Sequence, residues 1–166
     1  MRTGIALGSN LGDRLANLSA GRDTVLRLPH VSAPVLQSRV YETEPVGTEP
    51  DAGSFLNAVI EIEFTGDPHS LLAALRSIES AHGRPTRYPR NAPRTLDLDI
   101  LYAGGLVLND DALILPHPRL HLRRFVLAPL NDIRPDLRLP GQSHTVAELL
   151  AHLGDPAAVT LFAEAW

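Results

Sequence analysis

Leu56-Asn57-Ala58-Val59-Ile60-Glu61-Ile62-Glu63-Phe64, followed after Thr65-Gly66 by Asp67-Pro68, is the stretch whose reading decides the fold. Leu56, Ala58, Ile60, Ile62 and Phe64 fall on one side of a period-two pattern, and Asn57, Glu61 and Glu63 on the other. That alternation predicts a half-buried strand, one face on a core and one in water. Asp67 then offers a helix cap and Pro68 a first helical residue whose φ is already set. Leu71, Leu75 and Ile78 recur along one stripe, and Gly83 supplies the stop. Leu96 to Tyr102 reads as the next strand, so this region is β-α-β.

Working outward, Ile5 to Leu7 is a short strand ending at Gly8, and Gly8 to Asp13 is a turn. Leu15, Leu18, Val25 and Leu26 line one face of a helix, with Asp13 favourable near its N-terminus. A strand is expected from about Val35 to Glu42. The order through Tyr102 is therefore β-α-β-β-α-β, the ferredoxin-like split unit of the α/β (α+β) class. Beyond it, Thr145 and Glu148 form a capping box for a last helix ending near Gly154. Added C-terminal strands and helices on this core make a three-layer sandwich. A chain of 166 residues suits one domain, taken as 1–166. Two irregular stretches, Thr43 to Ser54 and Gly83 to Thr95, have the length of functional loops and are expected to be mobile lids.

Composition removes several chemistries. The chain has no cysteine, which excludes disulfides, thiol nucleophiles and Cys-held metals. It also has no lysine, all 15 basic residues being Arg, so Schiff-base catalysis and a lysine-dependent phosphate loop are absent. Phosphate, if handled, is handled by arginine and metal. A net charge of -4 argues against nucleic acid as a partner. No apolar run approaches the roughly 18 residues that span a bilayer. Met1-Arg2 passes directly into a strand without signal-peptide architecture, so a cytoplasmic protein is expected.

Chemistry concentrates in Arg94-Thr95-Leu96-Asp97-Leu98-Asp99-Ile100. On a strand, Asp97 and Asp99 project from one face while Leu96, Leu98 and Ile100 enter the core. Two carboxylates this close repel unless a cation joins them. Magnesium commonly uses one or two carboxylates plus substrate phosphates; the alternative is a pair neutralised by neighbouring arginines. Arg84, Arg87, Arg90 and Arg94 precede the pair, interleaved with Pro85, Pro89 and Pro93, which prevent a regular helix. Guanidinium forks match phosphate oxygens, although a solvated basic loop has the same composition. Pro116-His117-Pro118-Arg119-Leu120-His121-Leu122-Arg123-Arg124-Phe125 is a third cluster, leading into a helix through Leu130. His117, held between prolines, is a donor to phosphate or a structural histidine. Gly8-Ser9-Asn10-Leu11-Gly12 reads better as a tight strand-to-helix turn than as a phosphate cradle. Asn57 is either a reader of a heterocycle's edge or a solvated sheet residue.

Gly8 to Arg14, Tyr41 to Gly47, Phe55 to Asn57, Ile78-Glu79 with Gly83-Arg84, Pro93 to Ile100, Pro116 to Pro118 and Arg123 to Leu130 span most of the chain. In this order they resemble the 6-hydroxymethyl-7,8-dihydropterin pyrophosphokinases, enzymes of folate biosynthesis. The resemblance implies transfer of pyrophosphate from ATP to the pterin alcohol, releasing AMP, on a ferredoxin-like sandwich. It further implies two magnesium ions on Asp97 and Asp99, and a catalytic set of Arg84, Arg94, Asp97, Asp99 and His117. ATP would meet Glu79, Arg84, Arg90, Arg94, Ile100, His117 and Arg123. The pterin would meet Thr43, Pro45, Val46, Gly47, Asn57 and Asp97, with Phe55 and Phe125 stacking on its ring. Arg90 would close over the nucleotide, and Asp97 is the candidate base.

Three departures accompany it. Asn91-Ala92 stand where many members carry Trp-Gly, removing one aromatic contact; Pro118 replaces a Tyr of some members; Ala112 and Ile114 replace polar nucleotide contacts. The chain is expected to act as a monomer on small molecules. Competing readings are a nucleotide- or metabolite-binding module without turnover, a metal-dependent phosphohydrolase and an RNA binder using the arginine loop.

Overall fold

Strand formation begins with two apolar runs that pair along their length. Arg2–Ser9 (β1) and Phe55–Phe64 (β4) are antiparallel neighbours, with Ile5 opposite Ile60 and Gly8 opposite Asn57. Asp97–Ala103 (β5) pairs with the other side of β1. The structure, a computed structural model, describes residues 1–44, 53–83, 93–154 and 158–166. Between these strands lie Arg14–Leu26 (α1), Val31–Gln37 (β2), Val40–Thr43 (β3) and Pro68–Ala81 (α2). After them come Leu108–Asn109 (β6), Ile114–Leu115 (β7), a 3-10 turn at Leu120–Leu122, Arg124–Ile133 (α3), Val146–His152 (α4) and Val159–Ala163 (β8). The sheet order is β5-β1-β4-β3-β8, with β2 also on β4, and every pairing is antiparallel. This is the expected β-α-β-β-α-β core with C-terminal additions.

The strand expected over Val35 to Glu42 is broken in two. β2 lies along the Ile60–Phe64 half of β4 and β3 along Phe55–Asn57. At the break, Ser38 N–H donates to the Val59 carbonyl and the Ser38 hydroxyl accepts from Val59 N–H, both at 2.9 Å. A side chain thus replaces one ladder bond, and the edge bends without orphaning the Val59 amide.

The helix boundaries follow their caps. Asp67 accepts from Ser70 N–H at 2.9 Å to open α2, and Gly83 takes φ 90° just past its end. Asp13 accepts from Ala16 N–H at 3.1 Å to open α1. Thr145 and Glu148 make the reciprocal capping box of α4, at 3.3 and 2.7 Å.

Helices cover both faces of the sheet. α1 and α2 pack Leu18, Val25, Leu71, Leu75 and Ile78 against Ile5, Leu7, Ala58, Ile60, Leu98 and Ile100. α3 and α4 pack Val126, Leu127, Leu130 and Val146 against Val59, Leu101 and Tyr102. β4 is therefore not the half-solvated strand its alternation predicts. Its polar face is roofed by the last third of the chain, and Glu61 is only 2% exposed.

A carboxylate so buried must be paired. The Tyr102 hydroxyl donates to Glu61 Oε2 at 2.5 Å, Arg134 Nε lies 3.2 Å from the same oxygen, and Arg2 Nη1 lies 3.5 Å from Oε1. Burial, then the bond to Glu61, pushes the Tyr102 phenol far above its usual value, so it stays a donor. Its ring lies over Gly4, where a Cβ would come within 2.3 Å of it. The β1–β5 register shifts between Gly4 and Ile5, which lets Leu101 and Tyr102 both face α3 and α4. No helix among the described residues is long and apolar enough to cross a membrane.

Glu61→Ala leaves a buried phenol and two arginines without their acceptor, so a loss of about 3 kcal/mol is expected. Urea unfolding checks this, and a midpoint equal to that of the native chain would contradict it.

Candidate active site

The register across β5, β1 and β4 sets one row of residues side by side. Asp97 lies opposite Gly8, Gly8 opposite Asn57, and Asn57 opposite Tyr41. Paired residues in adjacent strands share a face, so Asp97 and Asn57 point the same way with only a glycine between them. A Cβ on Gly8 would stand 3.5 Å from Asn57 Oδ1, 3.8 Å from Asp97 Cβ and 3.9 Å from Phe55 Cδ1. Gly8 is thus the floor of a recess walled by those three side chains. Its part is invisible in the sequence, where Gly8 reads as a turn glycine.

On one side of the recess, Asn57 is buried, so it is no solvated sheet residue. Its Nδ2 donates to Thr43 Oγ1 at 2.9 Å, which turns Oδ1 toward the Gly8 floor. On the other side, Asp97 and the next outward residue, Asp99, are half-buried, while Leu96, Leu98 and Ile100 fill the core behind them. Arg94 Nη1 is 3.0 Å from Asp97 Oδ1. Arg94 Nε is buried with no hydrogen-bond acceptor among the described residues.

His117 arrives from the segment after β7, pinned by its N–H to the Leu101 carbonyl at 2.8 Å. Arg119 N–H donates to His117 Nδ1 at 3.2 Å, so a neutral ring carries its proton on Nε2. Burial, then the charges of Arg123 and Arg119, pushes the imidazole down to about 4, with Asp97 acting in the opposite sense. Arg123 is likewise lowered, by burial first and then by Arg119, while Asp99 and Asp97 favour its charge. Arg94, Asp97, Asp99, His117, Arg119 and Arg123 therefore share one electrostatic field. The Arg123 guanidinium also sits 5.4 Å over the Phe125 ring.

Some expected residues are placed differently. The Ile100 side chain lies in the core, on the opposite face from Asp97 and Asp99. Glu79 is buried and accepts from Leu98 N–H at 2.8 Å, supporting β5 from its outer edge. Pro45, Val46, Gly47, Arg84 and Arg90, with Arg87, Asn91 and Ala92, lie outside the described residues. The expectation of lids over Thr43 to Ser54 and Gly83 to Thr95 falls largely on those residues. Arg119 is the group that sequence reasoning left without a role, though it stood inside the cluster around His117.

Residues 4–135 match the family model of 7,8-dihydro-6-hydroxymethylpterin-pyrophosphokinase. The chain belongs to this family. A 2-amino-4-hydroxy-6-hydroxymethyldihydropteridine pyrophosphokinase of Methylorubrum extorquens is 40% identical over 158 residues, covering 95% of this chain and 96% of the relative. One of Pseudomonas aeruginosa is 43% identical over 150 residues, 90% of each. Among solved structures, a Plasmodium falciparum HPPK-DHPS superposes with a TM-score of 0.70 at 14% identity, over 90% of this chain. This chain covers 42% of that one, and the likeness is of fold. The family match ends before α4 and β8, the elements that complete the outer layer and the sheet edge.

With a depressed imidazole, His117 stays neutral well below the ordinary histidine value of 6.5. The unfolded chain takes up that proton near its ordinary value and the folded chain does not. The stability tied to this group is therefore full above that value and is lost as the pH falls toward about 4. NMR titration of the ligand-free protein is expected to show His117 ring signals unmoved until about pH 5. A midpoint at the ordinary value would contradict the burial and charge argument.

Proposed function

We propose that Asp97 and Asp99, ringed by Arg94, His117 and Arg123, are the centre at which this chain moves a pyrophosphoryl group from ATP to the hydroxymethyl group of 6-hydroxymethyl-7,8-dihydropterin. The reaction follows from the family: the chain is an ATP- and magnesium-dependent pyrophosphokinase of folate biosynthesis, giving AMP and the pterin diphosphate. The observation that carries the residue assignment is the row Asp97–Gly8–Asn57, which sets a carboxylate beside an amide across a bare floor. A binding module without turnover would have no use for two carboxylates next to a recess of this kind.

The donors fit magnesium. Asp97 and Asp99 offer oxygen alone, and among the described residues no group of three or more His, Asp or Glu forms a cage. Two carboxylates leave coordination positions for phosphate oxygens and water, as this ion prefers. Two ions are proposed, held by Asp97 and Asp99; bound there, magnesium neutralises polyphosphate charge and polarises the transferred group.

The chain's own residues do the rest. Arg94, whose buried Nε has no acceptor among the described residues, grips phosphate from the carboxylate side. His117, neutral and holding its proton on Nε2, donates a hydrogen bond without adding charge. Arg123, stiffened over Phe125, donates from the far side. Asn57 Oδ1 accepts from an N–H on the edge of the pterin, while Thr43 holds its amide in place. Phe55 and Phe125 supply flat apolar faces to the ring. Asp97, common to both halves, accepts the proton of the hydroxymethyl group.

By resemblance, Arg84 and Arg90 complete the phosphate grip, and Pro45, Val46 and Gly47 the pterin side. Glu79 acts from behind β5, near the nucleoside. Positioning of the alcohol and charge neutralisation carry most of the rate in this class of reaction. The whole chain, 1–166, serves as one domain and acts as a monomer in this reading.

Incubation with ATP, magnesium and the pterin alcohol is expected to release AMP only when the pterin is present. ADP, or no nucleotide product, would overturn the reading. Asp97→Ala and Asp99→Ala should each lower kcat by about a thousandfold or more with an unchanged circular dichroism spectrum; activity retained in both removes the metal centre.

Gly8→Ala adds a methyl group at ordinary contact distance, so the fold should stand while the recess floor rises. Steady-state kinetics should show a pterin KM about tenfold higher and an unchanged KM for ATP. Equal changes in both would place Gly8 elsewhere in the reaction.

A further inference from the structure

The turn between β1 and α1 holds a side chain that neither the fold nor the reaction has yet used. Asn10 is 6% exposed and meets Arg94 twice: its N–H donates to the Arg94 carbonyl at 3.1 Å, and its Oδ1 accepts from Arg94 N–H at 2.7 Å. Its Nδ2 reaches the Gly53 carbonyl at 3.5 Å, and a Cβ on Gly53 would lie 3.2 Å from the Asn10 carbonyl oxygen. One asparagine thus binds the residue that precedes Asp97 by three and the residue that leads into Phe55. The turn can bear this because it is braced itself. Gly12 takes φ 68°, and Asn17 Nδ2 donates to the Leu11 carbonyl at 2.9 Å. Arg14, at the helix start, donates to the Ser54 carbonyl at 2.7 Å, a second hold on the same stem.

We propose that Asn10 is a positioning residue: it fixes the Arg94 backbone against the end of β1, so that the Arg94 guanidinium meets Asp97 in one arrangement. Arg94 lies outside β5, where no sheet ladder sets its backbone. A paired donor and acceptor on one residue fix direction as well as distance, much as a ladder pair does. Without them the guanidinium is free to leave the carboxylate, and small misplacements of a phosphate-gripping group are costly to rate. This inference rests on the functional reading above, in which Arg94 holds phosphate.

Two measurements test it. In Asn10→Ala, amide hydrogen exchange at Arg94 should quicken at least about tenfold. In Asn10→Asp, which keeps the acceptor oxygen, Arg94 should remain protected. Exchange unchanged in the first, or lost in the second, overturns the proposal, and this readout needs no activity.

In the pyrophosphokinase assay, kcat/KM for ATP should fall about 30-fold in Asn10→Ala. The double variant Asn10→Ala with Arg94→Ala should be no slower than Arg94→Ala alone, because the one acts through the other. Full activity in Asn10→Ala, or losses that multiply in the double variant, would overturn it as well. An inactive native chain would instead sink the functional reading, with the exchange result still deciding whether Asn10 holds Arg94.

Discussion

Everything at the candidate site depends on β1 being paired on both sides at one register. Its partner β4 brings Asn57 to Gly8, and β5 brings Asp97 to the same glycine. Side chains in a strand alternate with period two, so a slip of one residue in either ladder would send Asp97 or Asn57 into the hydrocarbon layer under α1 and α2. The same slip would push Leu98 or Ala58 out of it. Burial of the apolar set and alignment of the chemical set are therefore one constraint, and the core enforces the geometry of the site. Glycine at position 8 is the complement, since the missing side chain leaves the space between Asp97 and Asn57 open.

The last third of the chain does a different job. It roofs the polar face of β4 with α3 and α4 and delivers His117 and Arg123 over the carboxylates. Both tasks come from one excursion: His117 is pinned to the Leu101 carbonyl, and seven residues on, α3 begins to pack on the sheet. The Glu61–Tyr102–Arg134 cluster lies under this roof, joining β4 and β5 to the C-terminal end of α3. Packing and the candidate site thus draw on the same elements from opposite ends.

Much of this was legible in the residues themselves, for stated reasons. Asp97 and Asp99 announce themselves because their spacing has the strand's own period, and caps such as Asp67 and Thr145 are local signals. Glu61 reads as facing water, and the choice for Asn57 stays open, because what roofs this face of β4 comes from Val126 to Val146, far along the chain. Local alternation says which face is polar and cannot say whether it is roofed. The break at Ser38 was missed since it turns on one hydroxyl meeting one amide. C-terminal strands are expected, but β8 is not located in the sequence because its five residues carry too little pattern. Gly8 was misjudged because a glycine's importance lies in its neighbours across the sheet, which only a register reveals. The tautomer of His117 depends in the same way on the backbone N–H of Arg119.

The two sides of the sheet differ in one further respect. Ile5, Leu7, Ala58, Ile60, Ile62, Leu98 and Ile100 form a slab of hydrocarbon directly behind Asp97 and Asp99. Such a slab is weakly polarisable, and charges set on its surface send little of their field backward through it. The field of the carboxylates is thrown forward, toward the face they share with Gly8 and Asn57. A divalent ion approaching that side meets a deeper electrostatic well than the same two carboxylates would offer in water. The apolar core, which takes no part in the chemistry, thereby acts as the dielectric backing of the charged centre.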